Sequence, residues 1–162
     1  MSTFRLAGVL LVLSAATSCP LASALCIYKD KMNAKTTVNE EFRDSKWVIK
    51  ARVVDADYHW SDDNPSWTLY RLAVVKSFKD QPPDQLTMFT FRDSGGFFLD
   101  KGMSPDLGGE YLLFLAPISI NSDVPKLAYH STEVNYSCGQ SKPWAEVSPS
   151  EKEELFKLAR LR

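Results

Sequence analysis

The chain has 162 residues, 44% of them hydrophobic and 24% charged, enough apolar material for one domain with a real core. Its 19 basic and 20 acidic residues leave a net charge of −1, without the basic footprint that a nucleic-acid binder needs. Nucleic acid is therefore excluded as the expected partner.

Residues 1–24 read as a signal peptide. Arg5 supplies the positive start, Leu6 to Ala16 form a short apolar run, and Ala22-Ser23-Ala24 is a small-residue cleavage pattern. That run is too short and too interrupted to span a membrane. Residues 25–162 are then the mature domain, and the expected location is secreted or periplasmic. Ala16-Thr-Ser-Cys19 loosely resembles a lipoprotein acceptor site, so a lipid anchor at Cys19 is the alternative. Loss of Cys19 with the leader leaves Cys26 and Cys138, an even pair in an oxidising compartment where disulfides persist. Their bond would close a loop of about a hundred residues, worth about 4–5 kcal/mol in the chain-entropy model.

Residues 27–35 are polar and lysine-rich, the composition of a surface segment. Thr37-Val-Asn-Glu40 fits a capping box and starts a short helix through Phe42 that ends near Asp44-Ser45. Lys46 to Asp57 reads as a strand, with Trp47, Ile49, Ala51 and Val53 on one face and Lys50 and Arg52 on the other. Turn chemistry over 59–66 leads to a second strand, Trp67 to Phe78, with Tyr70, Leu72 and Val74 facing one way. After the break at 79–84 a third strand runs from Gln85 to Phe91 and carries Thr87, Phe89 and Phe91. A loop over 93–96, hydrophobic Phe97-Phe98-Leu99 and a turn over 106–109 precede the fourth strand, Glu110 to Pro117. That strand is apolar on both faces, as a central strand should be. Val124 to Thr132 is read as a fifth. Strands at this spacing with turn residues between them indicate a small barrel or sandwich.

Trp144, close after Cys138, is expected to lie buried beside the bridge and cover one end of the barrel. Ser148-Pro149-Ser-Glu151 then supplies an N-cap, a proline at the first helical position and an acidic third residue. Leu155, Phe156, Leu158 and Ala159 make the apolar stripe of that last helix. Its acidic start and its basic Lys157, Arg160 and Arg162 suit the helix dipole.

No catalytic set emerges, and no enzyme is expected. Asp93-Ser-Gly-Gly96 is the tetrapeptide around the nucleophile of chymotrypsin-like proteases, and His59 and Asp62 precede it in the right order. The mature chain is too short for the two barrels that carry that triad, and Arg92 stands where a glycine would precede. His59 and His130 have no ligand spacing around them. The acidic group Asp55, Asp57, Asp62 and Asp63 lacks the glycine and alternating oxygens of a calcium loop. No metal of its own and no cofactor is expected. Tyr58, Trp60 and Trp67 flank the loop between the first two strands. Aromatic residues there mark either a protein-binding surface or a hairpin tip folded onto its own barrel.

Three stretches together resemble the netrin-like domain, and within it the N-terminal domain of tissue inhibitors of metalloproteinases. They are Phe42-Arg-Asp-Ser-Lys-Trp-Val-Ile-Lys-Ala-Arg-Val-Val54, Glu110-Tyr-Leu-Leu-Phe114 and Cys138-Gly-Gln-Ser-Lys-Pro-Trp144. The resemblance implies a mainly β fold: a five-stranded OB-type barrel with a short N-terminal helix and a C-terminal helix packed at its side. It also implies a protein partner, a zinc metalloprotease, whose metal is chelated by the inhibitor's N-terminal amine and carbonyl within a Cys-x-Cys motif. Here Ala24-Leu25-Cys26 occupies that motif, so its first cysteine is absent, and Gly95-Gly96 stand where the family's loop cysteine would be. Cys26 and Cys138 resemble the retained pair. The implied contact ridge is Leu25, Cys26, Ser94, Gly95 and Gly96. The alternative is a non-inhibitory module that keeps the barrel and binds protein through Tyr58, Trp60 and Trp67. Oligomeric state is left open.

Overall fold

The structure, a computed structural model, describes residues 27–28, 31–32, 36–62, 65–92, 96–135 and 138–161. Its body is a closed five-stranded barrel made of β1 (Trp47–His59), β2 (Trp67–Lys79), β3 (Gln85–Phe91), β4 (Glu110–Pro117) and β5 (Thr132–Val134). The first three strands form an antiparallel meander, and β1 also pairs with β4. β5 closes the ring, antiparallel to β4 and parallel to β3 through Met88 and Thr132. This is the OB-type arrangement, mainly β, with α1 (Val38–Asp44) and α2 (Pro149–Arg160) packed at its side. β1 serves two neighbours because it bends. Its register against β2 shifts between Val48 and Ile49, Lys50 and Ala51, and Val53 and Asp55, and such bulges curl a strand around a barrel.

Alternation along the strands sorts the core into two layers. Ile49, Ala51, Val53, Tyr70, Leu72, Met88, Tyr111, Leu113 and Leu115 fill the barrel. Val48, Phe78, Leu112 and Phe114 point outward from the same strands, yet they are buried beneath Val38 and Phe42 of α1 and Leu155 of α2. That second layer explains why β4 is apolar on both faces. One face lines the barrel and the other carries the helices.

Both helices begin as their sequences predict. Thr37 and Ser148 each accept from the backbone of the residue three on, and Glu40 and Glu151 return the bond to the cap backbone. The end of α1 is held from a distance. Lys79 Nζ, at the end of β2, donates to the carbonyls of Phe42 (2.7 Å), Arg43 (2.8 Å) and Ser45. These include the last-turn acceptors that a helix cannot satisfy itself.

One strand reading needs correction. Residues 124–131 are not a strand: they form a loop with a 3-10 turn, Lys126–Ala128, and β5 starts only at Thr132. Val124, before the turn, and Ala128, at its end, both pack on Trp67 and Phe89 with Ile118. Pro125, lacking an N–H, also suits a turn better than a ladder. In β3 the residue inside the barrel is Met88, whereas Phe89 lies outside beneath this loop.

The segment before α1 is knitted to the Cys138 segment. Thr36 donates to the Cys138 carbonyl from N (3.0 Å) and Oγ1 (2.9 Å). Glu41, 5% exposed, accepts from Gln140 N (2.8 Å) and from Thr36 Oγ1. Gly139 is required here, since a Cβ would stand 2.0 Å from the Asn135 carbonyl oxygen. Burial pushes the Glu41 carboxyl above its ordinary range, against the bonds from Thr36 and Gln140 and with help from Asp44. Its Oε1 has no hydrogen-bond partner among the described residues. A raised folded-state pKa favours folding while the group is protonated, and that contribution is lost as pH rises through it. The stability of the chain relative to its Glu41→Gln variant should therefore decline as pH is raised from acid to neutral. Melting curves of the two proteins across that range test this, and parallel profiles would reject it.

Candidate functional site

The β1–β2 hairpin tip and the 96–105 segment meet at one end of the barrel. Leu99 is fully buried and plugs the barrel core, with Phe97 packed against that core. Asp100 follows at the base of a short hairpin, Asp100–Lys101 with Ser104–Pro105. Arg92 closes the end of β3, its backbone N–H donating to Ser66 O at 2.7 Å.

Arg92 and Asp100 form an ion pair at 2.5 Å with side chains only 12% and 8% exposed. Asp100 Oδ1 also accepts from Tyr70 Oη (2.6 Å) and Tyr58 Oη (2.9 Å), and Arg92 Nη1 donates to Thr68 Oγ1 at 2.8 Å. The guanidinium carbon lies 4.5 Å from the Tyr58 ring centroid, 4.7 Å from that of Phe98 and 5.5 Å from that of Trp60. Such cation–π contacts gain strength when the cation is desolvated. Burial, then donation to the Asp100 carboxylate, drives both tyrosine hydroxyls above their ordinary pKa. They therefore remain donors throughout the physiological range. Burial opposes the charge of Arg92, and Asp100 outweighs it, so the guanidinium is held charged.

The result is a fixed platform. Its fully buried member is Tyr70, and its most open one is Trp60, 72% exposed. Nothing in this set is arranged as nucleophile and base. It offers an indole and two further aromatic rings on a rigid cationic support, the composition of a protein-binding hot spot.

The expected site residues fall differently. Tyr58 and Trp60 belong to this platform, but Trp67 does not. It is 8% exposed, stacked on His59 at 4.9 Å and covered by the 118–131 loop. His59 is thereby occupied as a stacking partner. Gly96 lies against Phe98 and the Phe91 carbonyl, closely enough that a Cβ would collide with both. Leu25, Cys26, Ser94 and Gly95 lie outside the described residues, as do Asp63, Asp93 and the whole of 1–24 with Cys19. Cys138 is buried, and the other half of its expected bond, Cys26, lies outside the described residues. Trp144 is only partly buried and stands on the helical side of the barrel, 6.1 Å from Phe78, not over its end. Arg92, Phe98 and Asp100 were not singled out from sequence. Their one signal is a charge pair bracketing an apolar triplet.

Among the described residues no group of three or more His, Cys, Asp or Glu could hold a metal ion, and no helix is long and apolar enough to cross a membrane. The outer face of β2 and β3, where OB barrels commonly bind oligonucleotides and oligosaccharides, is partly covered by the protein's own 118–131 loop over Trp67 and Phe89. No protein-family model and no curated protein matches the chain.

Proposed function

We propose that the chain is a secreted or periplasmic, netrin-like protein-binding module that engages its partner with the barrel end carrying Tyr58, Trp60 and Phe98. The observation that carries this reading is Trp60: a large indole, 72% exposed, held above an arginine that is largely buried and paired with Asp100. A solvated hairpin tip would have no need of that support. On this reading the module is not an enzyme. The partly covered β2–β3 face and the balanced charge argue for protein over nucleic acid.

A second reading, inhibition of a zinc metalloprotease through the amine and carbonyl at Leu25 and Cys26, has one observation in its favour. Thr36 binds the Cys138 carbonyl twice, so a residue only ten positions after Cys26 sits beside its expected partner. A thiol titration of the unfolded, unreduced mature chain reads that bond directly, and a free thiol would reject it.

The two readings separate on paired variants. Trp60→Ala should weaken partner binding by about 2 kcal/mol or more, as for hot-spot residues, a loss of about thirtyfold. One alanine added before Leu25 moves the amine by up to about 3.3–3.6 Å, more than a zinc–nitrogen bond of about 2.0–2.1 Å. It should leave binding by the platform unchanged. Abolition of protease inhibition by the extension, with Trp60→Ala silent, would reverse the preference.

A further inference from the structure

The outer face of α2 and the adjoining end of β2 carry a cluster of cations. Lys76, Lys152, Lys157 and Arg160 gather there, and none makes an ion pair among the described residues. Their arrangement follows from helical spacing. Lys152, Phe156 and Arg160 succeed one another at intervals of four and form one stripe, with Lys157 and Leu161 beside it. Lys76 reaches over from β2, its Nζ 4.3 Å from the Phe156 ring centroid, while Lys152 Nζ stands 5.0 Å from that of Trp144. Apolar groups stay open beside these cations: Leu161 is 74% exposed, and Phe156, resting edge-on against Phe78 at 5.6 Å, is still 36% exposed. Glu153 is the acid on this face, and Glu151 is held away from it by Lys142 at 2.6 Å.

We propose that this face docks on an anionic lipid surface. The cations would meet the headgroup phosphates, and Phe156 and Leu161 would enter the interfacial layer. Alternating cations and open apolar residues on one helical face is the composition of an interfacial helix, and each Lys or Arg near such a surface adds to the attraction. An acidic peptide fits less well, because the shallow depression here is lined by α2 alone among the described residues and has no second wall to grip a strand. The platform at Trp60 comes from other elements, the β1–β2 tip and residues 92–100, so the two surfaces are independent.

Sedimentation of the purified chain with vesicles tests the proposal. It should bind phosphatidylcholine vesicles containing phosphatidylserine and not vesicles of phosphatidylcholine alone, and binding should weaken from low to physiological salt. Each of Lys76→Gln, Lys152→Gln, Lys157→Gln and Arg160→Gln should lower partitioning about fivefold, and the four together should abolish it. Leu161→Ser, at an open position, should weaken binding with the charges intact, which separates apolar insertion from simple charge attraction. Melting temperatures of all variants establish that they are folded. Equal binding to both vesicle types, no binding to the anionic ones at low salt, or an unchanged quadruple variant would overturn it.

Discussion

Asp100→Ala should cost about 3–5 kcal/mol of stability, the range for removing one partner of a buried ion pair. The carboxylate accepts from Arg92 Nη2, Tyr58 Oη and Tyr70 Oη at 2.5, 2.9 and 2.6 Å. Without it the Arg92 guanidinium stays buried between aromatic rings with its charge uncompensated, and the hydroxyl of the fully buried Tyr70 loses its short acceptor. The pair's side chains are about nine-tenths buried, so the discount for solvent screening that exposed pairs require is small here. Removing the other charge as well should recover part of the loss. Arg92→Met in the Asp100→Ala background should therefore be less harmful than the sum of the single changes. Urea denaturation of the three variants reads the cycle, and a single-variant loss below about 1 kcal/mol, the level of an exposed pair, would mean that the pair does not anchor this end of the barrel. Since Arg92 also supports Trp60, the same variants should loosen the platform proposed to bind protein.

The second large effect is expected at Lys79. Its ammonium, on a residue 6% exposed, donates to three carbonyls at the end of α1. Lys79→Met keeps an unbranched apolar stem and removes the donors. Each buried acceptor left without a partner costs about 1–3 kcal/mol, and relaxation of a helix end recovers part of that, so a loss of about 3 kcal/mol is expected. Hydrogen exchange of α1 amides should accelerate first, because the helix has only 7 residues and depends on its anchoring more than on propensity. Unchanged exchange in α1 would show that water satisfies those carbonyls and that the lysine is not its cap.

Much of the framework was legible because it rests on neighbours. Both capping boxes involve residues three apart, and β3 and β4 were bounded correctly by the turn residues around them. The double apolar character of β4 correctly implied burial on both faces. Period-2 alternation placed Ile49, Ala51 and Val53 inside, since those side chains share a face in any extended strand.

Sequence by itself thus determined four of the five barrel strands, both helices and the mainly β class, all of which are set by periodicity and local hydrogen bonding. Only the tertiary structure decided what the outward faces do. Trp67 reads as a possible binding-loop aromatic until the 118–131 loop folds over it, and residues 124–131 were mistaken for a strand because the anchors at Val124 and Ala128 show their purpose only against β2 and β3. Lys79 reads as a charge at a chain break, and becomes a helix cap across 37 residues of sequence. Arg92 and Asp100 acquire their role from Tyr58 and Tyr70 on two other strands. In each case the deciding free energy is desolvation, and a side chain's desolvation is set by what the rest of the chain lays on top of it.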